Sequence, residues 1–552
     1  MKPLQDIYAD KKGHPFLIGA ELVTTRGSAE QPAGHKVQTL ADDLSKWGRC
    51  DWISITDNAG GHPMLAPAVL GKAVQENGTN VIVHLTCKDR NRNAIESVAW
   101  QLASEGLDNI LVLTGDFPGE GYHGTGAPVF DLDSCTLTRM LADMNAGLQV
   151  PGRKPGSMTK LDRTNFHLGC AVSPFKTNEA ELMCQYLKLG LKVANGSQFV
   201  IPQLGYDMRK SHELMLYMAH HGMRLPVFGN IYILTKTVAR IFNQKKIPGC
   251  TVSDSLLAEI EKYASGPDKG KSYLRELAAK QLACFKGIGY RGAYFGGFAK
   301  AETIQEIVAL ADTYSEDDWK VFARDVIWPM EEDFYLFEQD EETGLANPDQ
   351  DSPEVIASRN KVDETVVSTF YHLNRYVHAT VFEPTGLLHK PVRKLYETVL
   401  NEDKHPSLHR VAKWQEKVIK TALYNCQDCG DCSLNDCGFF CPGASCKKNM
   451  RNGPCGGSRG ILCESGDFPC IWYRSYFRAK ADGQLDSFLK RDLILRNQAL
   501  KGTSSWANYF LGKDHSSHLL EASDESDDTP HTDVTDNQDR RSACNETATV
   551  VT

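Results

Sequence analysis

The chain has 552 residues, of which 41% are hydrophobic and 24% charged, the composition of an ordinary globular protein with room for two or three domains. No apolar run approaches the roughly 20 residues that span a bilayer, so we expect no membrane protein. The formal charge of −9 lies almost wholly beyond residue 513, and the nearly neutral remainder argues against a nucleic-acid-binding surface.

The N-terminus, MKPLQDIYADKKGHPF, carries charges where a signal peptide needs an apolar stretch. We therefore expect a cytoplasmic protein with reduced thiols. Seven of the 17 cysteines are scattered from Cys50 to Cys284, mostly within apolar stretches. These seven are expected to be core residues.

Eight short apolar runs alternate with segments of helical periodicity across residues 1–310. Eight buried strands with intervening amphipathic helices predict an α/β protein, a (β/α)₈ TIM barrel. A doubly wound open sheet is the alternative, but no G-x-G-x-x-G follows the first strand. In chain order the runs are FLIGAELV, CDWISIT, NVIVHLT, NILVLTG, NFHLGCAV, QFVIPQL, LPVFGNI and YRGAYFG.

Four further segments follow the predicted barrel. Residues 311–420 are charged and read as a helical connecting region, and residues 421–480 form a small cysteine-rich module. A polar C-terminal helix is predicted within 481–512, around DSFLKRDLILRNQALKG. Residues 513–552 form an acidic tail with few apolar side chains, which predicts disorder.

Polar side chains stand where the predicted strands end, which in such a barrel is where catalytic groups are placed. A carboxylate at a largely apolar barrel mouth can have a raised pKa and act as a general acid, and Glu21 and Asp116 are the two candidates. The strand-end residues are Glu21, Thr56, Asp57, His84, Thr86, Cys87, Thr114, Gly115, Asp116 and Gln203.

The strand ends GAELVTTRG, DWISITDNAGG, VHLTCKDRNRN, NILVLTGDFPG and PQLGYD resemble, in order and spacing, those of the methylenetetrahydrofolate reductases over roughly residues 15–260. The resemblance implies a flavin, FAD rather than FMN, on the barrel mouth. The flavin would pass a hydride to 5,10-methylenetetrahydrofolate and yield 5-methyltetrahydrofolate, a step of one-carbon metabolism and methionine biosynthesis.

The same resemblance assigns roles to individual residues. Glu21 occupies the position of the catalytic acid that protonates the folate as its five-membered ring opens, and Asp116 lies near flavin and pterin. Gln203 matches a substrate contact. The residues that match flavin contacts are Thr56, His84, Thr114, Gly115, Asp116, Phe130 and Lys192, with Lys192 directed at the phosphate groups.

The chain departs from the family pattern at two places. Where the family has an aromatic residue that stacks on the nicotinamide donor, this chain reads GNIYILTKTVAR and places Lys236. The family's late Tyr-Thr-Leu-Asn-Arg motif is missing, and YFGGFAKAE stands at the eighth strand instead. The first departure leaves either NAD(P)H or a protein as the electron donor. The second leaves open a related barrel enzyme that acts on another one-carbon carrier.

Nine cysteines crowd into the module, a density that indicates metal in a cytosolic chain. The spacing C-x₂-C-x₂-C with a nearby Cys-Pro pair is close to a ferredoxin-type run and favours one or two [4Fe-4S] clusters. Structural zinc is the alternative, and a disulfide framework is disfavoured. The candidate ligands are Cys426, Cys429, Cys432, Cys437, Cys441, Cys446, Cys455, Cys463 and Cys470.

With CQDCGDC and NGPCGG, residues 420–478 resemble the C-terminal domain that accompanies some methylenetetrahydrofolate reductases. This resemblance implies that iron-sulfur clusters deliver electrons to the flavin, so that a nicotinamide need not stack on it. A second hypothesis is a folate-binding or electron-transfer subunit of a larger complex. Self-association into a homo-oligomer is left open.

Overall fold

Eight parallel strands form one sheet in the computed structural model, which describes residues 2–517. The sheet runs in the order six, five, four, three, two, one, eight, seven. A parallel bridge between Val200 and Val227 joins strands six and seven and closes the barrel. The predicted (β/α)₈ architecture is therefore confirmed. In chain order the barrel strands are Leu17–Leu22, Trp52–Ile55, Asn80–Thr86, Asn109–Leu113, His167–Val172, Phe199–Pro202, Phe228–Tyr232 and Gly292–Gly296.

Large side chains fill the barrel interior, which is why the strands read as continuous apolar runs. Trp52, Phe199 and Phe228 pack there against Tyr8 of the short N-terminal helix. Gly19 leaves room for the Trp52 ring, because a Cβ at position 19 would lie only 2.0 Å from that ring. The interior is thus a packed core that leaves only the ends of the strands for chemistry.

Helices cover the outside of the barrel and continue into the C-terminal half. Each barrel helix buries the apolar face that the sequence periodicity indicates. The helices are α1 (Leu4–Ala9), α2 (Pro32–Trp47), α3 (Pro67–Glu76), α4 (Arg92–Glu105), α5 (Ser134–Ala146), α6 (Glu179–Ala194), α7 (Met208–His220), α8 (Lys236–Asn243), α9 (Asp254–Ala264), α10 (Lys271–Gly287), α11 (Ala301–Ala311), α12 (Asp318–Asp325), α13 (Pro353–Ser358), α14 (Thr369–Val381), α15 (His389–Thr398), α16 (Pro406–Tyr424), α17 (Pro442–Ser445), α18 (Ile471–Ala481), α19 (Leu485–Leu489) and α20 (Ser505–Phe510).

The predicted helical region after the barrel contains a β-hairpin, Phe337–Gln339 with Ala346–Asp351. A buried carboxylate explains the difference, because Glu213 of α7 accepts hydrogen bonds from the backbone N–H groups of Leu336 and Phe337, at 2.8 and 3.0 Å. Those two amides are held by a side chain distant in sequence, which local periodicity does not reveal.

The predicted polar C-terminal helix is broken into the helix α19, an irregular stretch and a 3₁₀ turn at Gln498–Leu500. Within that stretch, Ile494 is buried and its backbone N–H donates to the side chain of Asn452 at 2.7 Å. A tertiary contact has therefore replaced the helical hydrogen bond. The acidic tail, including Cys544, lies outside the described residues from 518 onward.

The chain divides into two units. The first comprises residues 2–372, 424–427 and 433–495, so it holds the barrel together with most of the cysteine-rich module. The second comprises residues 373–423, 428–432 and 496–517. No helix within residues 2–517 is both long and apolar enough to span a membrane.

The second unit has a small core of its own around Tyr396, Ala507 and Phe510. The buried carboxylate of Glu416 accepts hydrogen bonds from the hydroxyls of Ser504 and Ser505, both at 2.6 Å. Glu416 also accepts from the backbone N–H groups of Ser505 and Trp506, at 3.1 and 3.3 Å, and so satisfies donors that the start of α20 leaves open.

Candidate functional site

A hydrogen-bonded cluster lies at the C-terminal end of the barrel, around Glu21. The Tyr294 hydroxyl, from the eighth strand, donates to Oε2 of Glu21 at 2.9 Å. It also contacts the Ser54 hydroxyl and lies 3.4 Å from Nε2 of His84. Four strands therefore contribute to the cluster, and register brings them together, since Glu21 pairs with Ser54 and Gly19 pairs with Tyr294.

Burial sets the protonation state of this cluster. Desolvation raises the pKa of Glu21, and the hydrogen bond from Tyr294 opposes part of that rise. Desolvation also lowers the pKa of His84 to about 4, so its imidazole is neutral at neutral pH. Glu21 is thus the group at the mouth that burial prepares to hold a proton.

Two other strand-end residues have distinct environments. The hydroxyl of Thr56 is buried and has no hydrogen-bond partner among the residues that the structure describes. Asp57, by contrast, accepts hydrogen bonds from the Thr86 hydroxyl at 2.7 Å and from Arg90 at 2.9 Å. Asp57 therefore ties the ends of strands two and three together, whereas Thr56 has a free polar atom for a bound group.

The Thr114-Gly115-Asp116 segment ends the fourth strand. Asp116 accepts a hydrogen bond from the backbone N–H of Gly60 at 2.9 Å, and Thr114 donates to Ser134 at 3.2 Å. Gly115 has φ +89° and packs closely on Lys88, where a Cβ would lie 3.0 Å from the lysine Cδ. Only glycine meets both demands easily, so this turn fixes the place of Asp116.

Gln203 follows the sixth strand and lies beside a glycine. Its Oε1 accepts from the N–H of Leu204 at 2.9 Å. A Cβ on Gly249 would lie 3.1 Å from Nε2 of Gln203. This arrangement orients the Gln203 amide while keeping the space around its nitrogen narrow.

Lys192 and Phe130, two of the predicted flavin contacts, both have partners within the fold. The Lys192 ammonium is buried, donates to the carbonyl of Ala171 at 2.7 Å, and has a pKa lowered by burial. Phe130 is 2% exposed and packs against the cysteine-rich module, including Trp472. Their assignment as flavin contacts stays a prediction.

The NGPCGGS segment of the cysteine-rich module docks on the barrel along α6. Lys188 donates to the carbonyl of Pro454 and Gln185 to that of Cys455, both at 2.9 Å. At the N-terminus of α5, the Asn452 side chain donates to Asp133, the residue that caps this helix, at 2.9 Å. Backbone carbonyls of the module thus satisfy side chains of the barrel, and the two parts share one unit.

Lys448 connects the module with the barrel mouth. Its buried ammonium forms an ion pair with Glu464 and donates to the carbonyl of Gly115 at 2.8 Å, directly before Asp116. Sequence reasoning missed both Lys448 and Tyr294. The inward alternation of GAYFG was the available signal for Tyr294, whereas the docking of Lys448 depends on long-range packing.

Four of the nine candidate cysteine ligands line one small cavity. Burial raises the pKa of three of the four thiols, Cys446, Cys455 and Cys470, the last to about 12, and neighbouring thiols contribute to each shift. Such a donor set suits a metal that takes thiolate ligands. The four cysteines are Cys446, Cys455, Cys463 and Cys470.

The remaining candidate ligands lie elsewhere. Cys437 is fully buried in an apolar cluster of the first unit. Cys426 and Cys441 belong to the same unit. Cys429 and Cys432 belong to the second unit, where the Lys420 ammonium lies 3.2 Å from the Cys432 sulfur. The assignment of all nine as ligands stays a prediction.

Comparison with known proteins identifies two regions. The family model "Methylenetetrahydrofolate reductase" matches residues 30–312, more than half of the chain, and "Methylene-tetrahydrofolate reductase C terminal" matches residues 405–497. "Methylenetetrahydrofolate reductase 1" of Schizosaccharomyces pombe is 24% identical over 196 residues, which cover 34% of this chain and 29% of that protein. The match thus spans less than a third of the relative's length.

Solved structures are only distantly similar. An uncharacterized protein from Clostridium thermocellum, described as binding two copies of 5-methyl-5,6,7,8-tetrahydrofolic acid, is 12% identical. That match covers 57% of this chain and 98% of the other, with a TM-score of 0.39. An aldo-keto reductase from Klebsiella pneumoniae, in complex with NADPH, is 13% identical over 57% and 92% of the two chains, with a TM-score of 0.32. On the strength of the matched family models, the chain belongs to the methylenetetrahydrofolate reductase family.

Proposed function

We propose that this chain reduces 5,10-methylenetetrahydrofolate to 5-methyltetrahydrofolate at the barrel mouth. The observation that carries the proposal is the Glu21–Tyr294 pair, an acid whose pKa is raised by burial at the end of the barrel where such enzymes react. Family membership supplies the reaction class, and the pair supplies its proton source.

The proton step follows from the geometry of the pair. Tyr294 donates to Oε2 of Glu21, so the other oxygen, Oε1, is the one left to carry the proton. Protonated Glu21 would give that proton to the folate nitrogen as the five-membered ring opens. The opened form is a cationic iminium, which accepts a hydride at its methylene carbon and becomes a methyl group.

A bound flavin would supply that hydride. Thr56, with its unpartnered buried hydroxyl, neutral His84 and Asp116 are the residues we propose to hold its ring system. The hydrogen bond of Lys192 to Ala171 gives no support to its predicted contact with the flavin phosphates, and the burial of Phe130 gives none to its predicted flavin contact. Extraction of the bound flavin would distinguish FAD from FMN.

The cysteine-rich module is the proposed route for electrons. Four cysteines face one cavity, and four thiolates are the ligand set of a [4Fe-4S] cluster. A zinc ion needs four sulfurs at about 2.3 Å, and no three of these four cysteines have sulfurs within 4.8 Å of one another. Lys448, two residues after the cavity-lining Cys446, donates to the carbonyl of Gly115 next to Asp116, so the module contacts the barrel mouth at a point close in sequence to the cavity.

Anaerobic purification provides the test. The proposed enzyme is expected to contain flavin, iron and acid-labile sulfide, and to oxidise 5-methyltetrahydrofolate with an artificial electron acceptor. Zinc without iron would refute the electron route while leaving the reductase proposal standing. Flavin-containing protein that binds folate but turns over only with an added partner would instead identify a subunit of a larger complex.

A further inference from the structure

A second cavity, open to solvent, lies beside the barrel mouth. Segments of the first unit that are distant in sequence form its wall. The loop after the fifth strand contributes Phe175 and Lys176, the segment after α8 contributes Lys245 and Cys250, and the cysteine-rich module contributes Arg459. The barrel and the module are therefore both needed to make this cavity.

The cavity adjoins the residues of the proposed reaction. Gly249, which lines it, is the glycine that packs against the Gln203 amide. Cys250 lies close enough to the mouth for the charges of Asp116 and Glu21 to add to the effect of burial, which raises its thiol pKa to about 12. A molecule bound at the mouth could therefore extend past Gln203 into this space.

Two charged residues of the wall have a structural task. The buried Lys176 ammonium donates to the carbonyls of Gly456 and Ser458, at 2.8 and 2.9 Å, and lies 4.0 Å from Glu181. These contacts fix the 456–460 segment of the module against the barrel. They leave Lys176 with little capacity to pair with a ligand.

Lys245 and Arg459 differ from Lys176 in this respect. Neither side chain has an ion pair or a hydrogen bond among residues 2–517, although both line the cavity. Two unpaired cations at one concave site favour an anionic ligand, and an arginine fork matches the two oxygens of a carboxylate.

We propose that this cavity binds the glutamate tail of the folate substrate, with Lys245 and Arg459 pairing with its carboxylates. The inference rests on the proposed function, because folate joins a reactive pterin, through an aminobenzoyl group, to a glutamate. With the pterin near Glu21 and Asp116, the aminobenzoyl group passes Gln203 and the glutamate enters the cavity. The cysteine-rich module then contributes directly to substrate binding through Arg459.

The test compares two ligands on the anaerobically purified holoprotein. Isothermal titration measures the binding of 5-methyltetrahydrofolate and of 5-methyltetrahydropteroate, which lacks the glutamate. For Lys245→Ala and for Arg459→Ala we expect the Kd of the folate to rise about tenfold or more, as for loss of a charge-assisted pair. The Kd of the pteroate should stay within about twofold. Lys246→Ala, an exposed neighbour that does not line the cavity, is the matched control and should change neither Kd.

Each other outcome overturns the assignment. An equal loss for both ligands would mean that the variants disturb the fold, and an unchanged folate Kd would mean that the cations do not contact it. Weaker NADPH binding with unchanged folate binding would assign the cavity to nucleotide phosphates. The Lys245→Ala variant leaves the cysteine-rich module unaltered, because Lys245 belongs to the barrel, so its effect on folate binding cannot come from a change within the module. Failure of the unmodified protein to bind either ligand would refute the proposed function itself.

Discussion

The Tyr294 hydroxyl donates a 2.9 Å hydrogen bond to Oε2 of Glu21, from the strand that neighbours Glu21 in the closed barrel. Two opposing influences meet at this carboxyl group: burial raises its pKa, and Tyr294 lowers it. The balance between these two influences decides over which pH range Glu21 holds a proton. Substitution of Glu21 or of Tyr294 alone changes that balance.

Glu21→Gln removes the proton but keeps the size of the side chain and its ability to accept from Tyr294. We expect flavin to stay bound and reducible, while folate reduction falls by about a hundredfold or more, the usual contribution of a general acid. Stopped-flow measurement of the two half-reactions separates these effects. Folate reduction at the normal rate would show that another group supplies the proton.

Tyr294→Phe removes the hydrogen bond that lowers the pKa of Glu21, so that pKa should rise further. Because the protonated acid is the active form, activity is lost as pH rises through this pKa. The alkaline limb of the pH–rate profile should therefore move to higher pH. Tyr290→Phe is the control, since the Tyr290 hydroxyl donates to Ser211 away from the mouth. A shift to lower pH would contradict the assignment.

Cys455→Ser should remove the metal held in the four-cysteine cavity, because a serine hydroxyl is a poor substitute for a thiolate ligand. Iron and acid-labile sulfide per chain are expected to fall by one cluster. Cys284→Ala tests the opposite expectation, since that thiol is buried in the barrel core and should leave the iron content unchanged. Equal loss of iron in both variants would indicate general misfolding.

Lys448→Met leaves the Glu464 carboxylate buried without its partner. We expect a loss of about 3–5 kcal/mol in the free energy of unfolding, the usual effect of breaking a buried ion pair on one side. Adding Glu464→Gln should restore part of the loss, as thermal unfolding of the holoprotein would reveal. If the pair also helps to dock the module, electron transfer from reduced cluster to flavin should slow in Lys448→Met. No recovery in the double variant would mean that Lys448 acts mainly through Gly115.

The barrel could be predicted because each strand reads as a short, mostly apolar run, a signal that is local in sequence. Glu21 and Asp116 could be placed at the mouth for the same reason, since they end such strands. The hairpin at 337–351 could not be predicted, because it depends on Glu213, more than a hundred residues earlier. Local patterns reveal which element a residue belongs to, whereas distant partners decide what its polar atoms do.

Lys192 illustrates the same limit within the candidate site. Its spacing from Gln203 suggested a phosphate contact, yet its ammonium donates to the Ala171 carbonyl. Tyr294 lay within a recognised strand, but its role depends on the register that brings it to Glu21 and Ser54. The family pattern identified the strand ends correctly, and three-dimensional packing distinguishes groups that face the mouth from those that support it.

The docking of the NGPCGGS segment along α6 has a consequence for how the protein matures in the cell. Gln185 and Lys188 find their partners only when that segment is folded, and Cys455 lies within it. If the module holds the proposed metal, a chain without it would leave these side chains, and the apolar surface near them, exposed to chaperones and proteases. The supply of the cofactor would then limit the amount of folded protein. Oxidative damage to the small module would lead to degradation of the whole chain, including the barrel.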